Sequence, residues 1–115
     1  MQETTLSLQK MGQRIMDRRK KLGMTQEALA EKADLTTQFV SYAESGKRAM
    51  RPENLLKIAQ VLQVSADYLL TGEIIDRDLL FFTQKLSTLT PQQFRIFENI
   101  LDQCCELFQS NSSHP

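Results

Sequence analysis

The stretch from Gln26 to Glu44 constrains the fold of this chain more strongly than composition does. Small and apolar residues recur in it at the spacing of two short helices joined by a tight turn. The alanines permit the close approach of a steep helix crossing, and Leu35 is expected at the corner between the two helices. The residues predicted to face this contact are Ala28, Leu29, Ala30, Val40 and Ala43.

Four polar residues remain on the outer side of the second of these helices. They share one stripe because an α-helix repeats every 3.6 residues. Their hydroxyl and amide groups are donors and acceptors of the kind that hydrogen-bond to base edges in the major groove of DNA. A solvated helix face has the same pattern, so the stripe alone leaves both interpretations open. We call this stripe the reading face; it consists of Thr37, Gln38, Ser41 and Tyr42.

Several motifs occur in one register across residues 11–72. They are R-x-x-x-G-M-T-Q at 19–26, L-A at 29–30, S-x-x-E-x-G-K-R at 41–48, L-L-K-I-A at 55–59 and L-x-V-S-A-D-Y-L-L at 62–70. In these motifs the chain resembles the XRE family, named after Cro and the phage repressors of the lambda type. The resemblance implies an all-α fold with a five-helix repressor-type helix-turn-helix domain. Asp34 stands where many members have Gly, and we expect the turn to survive because Asp tolerates a left-handed backbone.

The resemblance also implies roles for individual residues. In the family, the first residues of the recognition helix and those one turn later contact bases, which implies base contacts for the reading face. Gln38 is the best candidate, because a Gln amide pairs bidentately with adenine. Phe39 borders the reading face, and packing in the domain and contact with DNA are both open for it. For Gln26, at the start of the preceding helix, the resemblance implies a phosphate contact, which the positive helix N-terminus favours.

Charged residues fall into two groups with different expected roles. The loop after the recognition helix holds Lys47, Arg48 and Arg51, which we interpret as contacts to DNA phosphates, with a solvated loop as the alternative. Arg19 and Glu44 are implied by the resemblance to form a partly buried ion pair instead. The net charge of zero does not exclude DNA binding, because it averages two unlike parts of the chain. Residues 1–72 contain 11 Lys and Arg and 8 Asp and Glu, whereas residues 73–115 contain 3 Lys and Arg and 6 Asp and Glu.

Start and stop signals predict five helices before Gly72. We expect residues 1–6 to form a loose arm before them. The predicted helix starts rest on caps at Thr25, Thr36 and Ser65 and on Pro52 at a first helical position. The predicted helices are about Ser7–Leu22, Gln26–Lys32, Thr37–Glu44, one that starts near Pro52 and buries Leu55, Leu56, Ile58, Ala59 and Leu62, and Ala66–Leu70.

The segment after Gly72 lies outside the motifs and is interpreted from its own pattern. It predicts a helix over Asp76–Leu86 and a second from Pro91, started by a capping box of Thr90 and Gln93. Residues 109–115 are polar and predicted to be disordered. We therefore expect a DNA-binding domain at 1–72 and a helical dimerisation segment at 73–115. Apolar residues recur on the second helix at heptad-like spacing; we call them the C-terminal seam, namely Phe94, Phe97, Ile100, Leu101, Cys104 and Phe108.

Several functional classes are not expected. No run of apolar residues is long enough for a membrane span, no signal peptide is visible, and a cytoplasmic protein associated with the nucleoid is the natural interpretation. The sequence contains no nucleophile with a plausible His partner and no Gly-rich phosphate loop. It therefore predicts neither an enzyme nor a cofactor. A metal site is not expected at Cys104 and Cys105, since the only histidine is His114. Cys104 is interpreted as a small hydrophobic residue, and a disulfide between two subunits stays open.

Two functions from different classes fit these observations. The first is a sequence-specific transcriptional regulator, acting as a repressor, that binds a two-fold operator in double-stranded DNA as a homodimer. The second is an antitoxin-type protein whose C-terminal helices bind a partner, such as a toxin or an antirepressor. The C-terminal seam serves either function, because it can face a second copy of the chain or another protein.

Overall fold

The computed structural model describes residues 7–112, and these residues form seven α-helices and no β-strand. The first five helices make the repressor-type domain that the sequence predicts, so the all-α fold class is confirmed. The arm predicted at residues 1–6 lies outside the described residues. The helices are α1 (Leu8–Lys21), α2 (Gln26–Lys32), α3 (Thr37–Ser45), α4 (Pro52–Leu62), α5 (Ala66–Thr71), α6 (Asp76–Leu86) and α7 (Pro91–Ser112).

Side-chain caps determine where the helices of the first domain begin. The hydroxyls of Thr25, Thr36 and Ser65 each accept a hydrogen bond from the backbone N–H three residues later, at 2.9–3.0 Å. Pro52 is the first residue of α4, where its fixed φ suits the helix and its missing N–H costs nothing. These four predicted starts are confirmed, and Ser7 is the N-cap of α1 rather than its first residue.

The core of the first domain lies between α1, α2, α3, α4 and α5. α4 contributes one stripe to it, at positions 55, 58, 59 and 62, which is the spacing of a helix with one buried face. Leu56 was expected to be buried and is 52% exposed. It follows Leu55 by about 100° around the helix axis and therefore points away from the stripe. The largest fully buried side chains are Ile15, Leu29, Val40, Ile58, Leu62 and Leu69.

The turn between α2 and α3 depends on the backbone of Asp34. Its φ is 57°, in the left-handed region, as predicted for a residue that replaces Gly at this position. The N–H of Leu35 then donates to the carbonyl of Ala30 at 2.8 Å. The Leu35 side chain packs against the core and closes the corner between the two helices.

α1 and α3 approach each other closely at Gly12. A Cβ atom at this position would collide with the backbone carbonyl oxygens of Ala43 and Glu44, and it would lie 2.8 Å from the Glu44 carbonyl carbon. Glycine in a helix costs roughly 0.5–1 kcal/mol relative to Ala, so this contact explains its presence in α1. The last turn of α3 is thereby held against α1, while Thr37 and Gln38 in its first turn remain exposed.

The chain divides into two compact units inside α6. The described residues up to Phe81 form the first unit, and those from Phe82 onward form the second. The first unit thus includes the five-helix domain and the beginning of α6. The boundary predicted after Gly72 concerns which residues bind DNA and which mediate oligomerisation, and it stays a prediction.

α7 is the main element of the second unit. Its predicted capping box is confirmed: Thr90 Oγ1 accepts from the Gln93 N–H at 3.2 Å, and Gln93 Oε1 accepts from the Thr90 N–H at 3.0 Å. The helix continues to Ser112, so the prediction of disorder is wrong for residues 109–112. Once a long helix has formed, each added residue gains a backbone hydrogen bond without needing an apolar partner. Residues 113–115 lie outside the described residues.

Candidate DNA-binding surface

The reading face lies on the accessible side of α3. The opposite side of the helix is buried in the core, so the orientation of α3 is fixed by packing. Phe39, whose role the sequence left open, is partly buried and packs against the core. Of the reading face, Thr37 and Gln38 are exposed, and Ser41 and Tyr42 are partly buried. The structure thus brings the four side chains together on one accessible surface.

Tyr42 connects the reading face with the basic loop that follows α3. Gln38 Nε2 donates a hydrogen bond to the Tyr42 hydroxyl at 2.9 Å. On the ring of Tyr42, Arg48 Cζ lies 5.2 Å and Lys47 Nζ 5.8 Å from the ring centre. Both distances are within the range of a cation–π interaction. The Tyr42 side chain therefore contacts one residue that is predicted to bind bases and two residues that are predicted to bind phosphates.

Positive charge lies directly beside the reading face. Lys47, Arg48 and Arg51 are all exposed. Arg51 Nη1 is 4.0 Å from Glu53 Oε1, and an ion pair so exposed to water contributes little. A groove of about 310 Å³ is lined by Tyr42, Arg48 and Arg51 among others. Cations at the rim of such a groove attract phosphate oxygens, whatever the net charge of the chain.

Arg19 and Glu44 lie in contact inside the domain. Arg19 Nε donates to Glu44 Oε2 at 2.6 Å, and Arg19 Nη2 donates to Glu44 Oε1 at 3.0 Å, which is a bidentate arrangement. The hydrogen bond to Glu44 raises the pKa of Arg19, although burial acts to lower it. Both side chains are buried, so this pair holds α1 to α3 and is not accessible to DNA.

Gln26 is attached to the same carboxylate. Its Nε2 donates to Glu44 Oε1 at 3.0 Å, and the side chain is partly buried at the start of α2. The backbone N–H groups in the first turn of a helix have no intrahelical partner. A phosphate contact at Gln26 stays a prediction; its backbone N–H and the second N–H of its side-chain amide are the donors that the bond to Glu44 leaves available.

Two other arginines of α1 have structural contacts that the sequence analysis missed. Arg18 Nε donates to the carbonyl of Leu62 at 2.9 Å, and Arg14 Nη1 donates to the carbonyl of Leu69 at 3.1 Å. They bind the carboxyl ends of α4 and α5, where the helix dipole favours a cation. Their spacing of four residues was the available signal, because it places both on one face of α1.

Asp78, at the start of α6, was also missed. Its Oδ1 accepts from the Ser65 N–H at 2.8 Å, and its Oδ2 accepts from the Ser65 hydroxyl at 2.7 Å and from the Ile75 N–H at 3.0 Å. Burial alone would raise the pKa of Asp78, but these hydrogen bonds hold it below its ordinary value. The carboxylate ties the first turn of α6 to the start of α5.

The C-terminal seam lies on α7, in the second unit. Phe97 and Cys104 are partly buried, and the ring centre of Phe97 lies 5.9 Å from that of Phe82. The other four residues of the seam are exposed, with Leu101 at 44% and Phe108 at 65%. Cys104 and Cys105 are both free thiols in this structure. Exposed apolar side chains along one helix are a common feature of surfaces that contact another molecule, and contact through this seam stays a prediction.

Metal-ligand clusters and membrane-spanning helices are two features that the described residues do not show. Within these residues, no three His, Cys, Asp or Glu side chains come together as ligands for a metal ion. Among the same residues, no helix combines the length and the apolar character needed to cross a membrane.

Comparison with known proteins places this geometry in a family. The family model described as Helix-turn-helix matches residues 15–69. The crystal structure of the P22 c2 repressor protein in complex with synthetic operator 9T has 40% sequence identity and a TM-score of 0.54, covering 61% of this chain and 100% of that chain. This chain belongs to the XRE family of helix-turn-helix regulators. XRE family proteins are DNA-binding transcriptional regulators and not enzymes, so the five-helix domain is a DNA-binding domain of the repressor type.

Two further comparisons show how much of this XRE family chain, and of its relatives, is matched. Repressor protein C2 of Salmonella phage P22 is 34% identical over 79 residues, which are 69% of this chain and 37% of that protein. The chain thus spans little more than a third of the length of this curated relative. The SinR protein/SinI protein complex contains a chain that is 28% identical, with a TM-score of 0.53, covering 84% of this chain and 98% of that chain. This last similarity extends beyond the five-helix domain.

Proposed function

We propose that this XRE family chain is a sequence-specific transcriptional regulator, acting as a repressor, which binds a two-fold operator in double-stranded DNA as a homodimer. The accessible reading face carries the proposal. Its helix is held from behind by the core, by the contact at Gly12 and by the buried pair of Arg19 and Glu44. Side chains on a rigid element present their donors and acceptors in fixed positions, as base recognition requires. A regulator of this kind acts in the cytoplasm, at the nucleoid.

The contacts divide into two kinds. The reading face provides contacts to base edges, with Gln38 as the residue that carries most sequence information. Contacts to phosphates position the domain but carry no sequence information directly. The relation to the P22 c2 repressor, whose structure includes an operator, supports this assignment. The phosphate contacts are Gln26, Lys47, Arg48 and Arg51.

Dimerisation through the C-terminal seam explains why the regulator has helices beyond its DNA-binding domain. One copy of the domain offers few base contacts, and the half-sites of a two-fold operator are about 34 Å apart. Linking two domains raises the effective concentration of the second and multiplies the affinity. A second copy of α7 can remove the exposed seam residues, such as Leu101 and Phe108, from water. In this proposal residues 1–72 bind DNA and residues 73–115 mediate oligomerisation.

A partner protein on the C-terminal seam is the second candidate, as in an antitoxin or a regulator controlled by an antirepressor. It is favoured by one observation: a chain of the SinR protein/SinI protein complex is similar to this chain over 84% of its length. Light scattering on the purified chain distinguishes the two. A stable dimer supports the homodimer, whereas a chain that aggregates unless a second protein is co-expressed supports the partner.

Selection of bound duplexes from a random pool tests the DNA-binding proposal. The wild type is expected to enrich a two-fold symmetric sequence. Gln38→Ala is expected to lose about 1–3 kcal/mol of discrimination at one base pair in each half-site, since a bidentate contact is removed without disturbing the core. Arg48→Ala is the matched control. It should enrich the same sequence, bind all duplexes more weakly, and reduce the slope of log K against log salt by about one unit.

Three outcomes contradict parts of this proposal. A wild-type pool without any enriched sequence excludes sequence-specific recognition. An enriched sequence without two-fold symmetry excludes the symmetric dimer on DNA. If Gln38→Ala enriches the same sequence as the wild type with the same base preferences, bases are not read by the proposed face.

A further inference from the structure

The hydrogen bond between Gln38 and Tyr42 constrains what Gln38 can recognise. The two residues are four positions apart on α3, and Gln38 Nε2 is the donor, at 2.9 Å from the Tyr42 hydroxyl. Gln38 is exposed, and a free side chain of this length loses up to about 2 kcal/mol of rotamer entropy when a ligand fixes it. A side chain already held by a neighbour loses less on binding.

The direction of this bond matters because a Gln amide has two chemically different ends. With one N–H donated to Tyr42, Gln38 keeps its carbonyl oxygen as an acceptor and its second N–H as a donor. Adenine offers the complementary pair in the major groove, the N6 amino donor and the N7 acceptor. With the amide reversed, its oxygen would accept from Tyr42 and leave two N–H donors. That arrangement matches the O6 and N7 acceptors of guanine.

The basic loop favours the first arrangement. When Gln38 donates to Tyr42, the hydroxyl proton of Tyr42 remains available for another acceptor. Arg48 and Lys47, 5.2 Å and 5.8 Å from the ring centre, are the cations that would hold a phosphate near Tyr42. Successive hydrogen bonds that run in one direction strengthen each other. If the amide is reversed, the Tyr42 hydroxyl donates its proton to the Gln38 oxygen. The series of hydrogen bonds from Gln38 through Tyr42 to a phosphate then cannot form.

We infer that Tyr42 is a specificity-determining residue, whose hydroxyl orients the Gln38 amide so that Gln38 reads adenine and rejects guanine at one base pair of each half-site. The inference rests on the proposed function, since it assumes that the reading face contacts bases. It assigns Tyr42 an indirect role in base recognition. The ring supports the loop cations, and the hydroxyl sets the orientation of a neighbouring side chain.

Tyr42→Phe tests the inference, because it keeps the ring and removes only the hydroxyl. Affinities are measured for the selected operator and for the same duplex with each base pair replaced in turn. In the wild type, the base pair that responds to Gln38→Ala is expected to have adenine as the preferred base. In Tyr42→Phe, the preference for adenine over guanine there should fall about two- to tenfold, the effect of losing one hydrogen bond.

A double-mutant cycle separates an orienting role from a direct one. If Tyr42 acts through Gln38, Tyr42→Phe should have no effect at that base pair once Gln38 is already Ala. The inference fails if Tyr42→Phe keeps the wild-type preference, if its effect falls on a different base pair from that of Gln38→Ala, or if the wild type selects guanine there. A wild type without any sequence preference overturns the proposed function instead. Thermal melting should show the same folded state for both variants.

Discussion

A single carboxylate, that of Asp78, holds the start of α6 against the start of α5. Its two oxygens accept three hydrogen bonds, from Ser65 and from Ile75. The ionised form accepts all of them, whereas protonation turns one oxygen into a donor. The pKa of Asp78 therefore lies below its ordinary value even though burial opposes ionisation.

Asp78→Asn is expected to lower the free energy of unfolding of the first unit by about 1–2 kcal/mol near neutral pH. Because the pKa is lower in the folded chain than in the unfolded chain, the stabilisation is present above the ordinary pKa of 3.8 and is lost as the pH falls through the folded-state pKa. Urea unfolding at a series of pH values measures it. Asp76→Asn, exposed in the same helical turn, is the control and should change stability by less. A carboxyl titration by NMR that places the pKa of Asp78 at or above its ordinary value would contradict this account.

Two residues with the same left-handed backbone differ in how well the sequence predicts them. Asp34 and Gln63 both have a φ of 57°. For Asp34 the family motif has Gly at this position, so the conformation was predictable. Gln has no such preference, and its conformation at the end of α4 follows from the N–H of Val64, which donates to the carbonyl of Ala59 at 3.1 Å and brings Val64 into the core. That cause is visible only in the folded chain.

At the scale of whole elements, α1 positions most of the first domain. Its arginines contact three other helices: Arg14 binds the end of α5, Arg18 the end of α4, and Arg19 the carboxylate of Glu44 on α3. Gly12 lets the backbone of α3 lie directly against α1. α3 is thus held by sterics and by charge at its buried end, while its reading face stays free.

Gly12→Ala tests the close contact between α1 and α3. On an isolated helix this change would be stabilising by about 1 kcal/mol. Here the added methyl group meets backbone carbonyls that cannot rotate away, so we expect a net loss of about 1–3 kcal/mol in the free energy of unfolding. Gln13→Ala, at the neighbouring exposed position, is the control and should change stability by less than about 0.5 kcal/mol. A Gly12→Ala protein as stable as the wild type would show that α3 is not held this closely.

The sequence predicts where elements begin better than it predicts what they contact. Helix starts were predictable at Thr25, Thr36, Pro52 and Thr90, because a cap acts on its own first turn. The exposure of Leu56 was not predictable, since the width of the buried stripe depends on which helices cover α4. Residues 109–112 were predicted to be disordered because they are polar. Polarity does not determine how far an established helix continues.

At the scale of the whole molecule, the net charge does not show which cations are accessible to DNA and which bind groups inside the domain. The excess of positive charge in residues 1–72 is compatible with a nucleic-acid partner. In the structure, Arg14, Arg18 and Arg19 bind groups inside the domain, so the accessible charge beside the reading face comes from Lys47, Arg48 and Arg51. The candidate residues of the site were predictable as a pattern on α3. The bond between Gln38 and Tyr42 was not, because two residues four apart on a helix can contact each other or remain separate.

In the proposed function the two units act together: the reading face recognises half of an operator, and the C-terminal seam brings two reading faces to the same DNA. Replacing Leu101 and Phe108 together by Glu tests it most directly. Both side chains are exposed, at 44% and 65%, so the change costs little within the chain itself. Two carboxylates could not be desolvated between two copies of α7. Gln92→Glu with Gln103→Glu is the matched control, because it adds the same charge to the same helix at exposed positions outside the seam.

The measurement combines light scattering with operator titration on the wild type and the two double variants. We expect a dimer for the wild type and for the control variant Gln92→Glu with Gln103→Glu. For Leu101→Glu with Phe108→Glu we expect a monomer with an intact five-helix domain and an operator affinity reduced by about 100-fold or more, which is the loss expected when two linked domains become independent. A seam variant that remains dimeric and binds the operator as tightly as the wild type would contradict the proposed function.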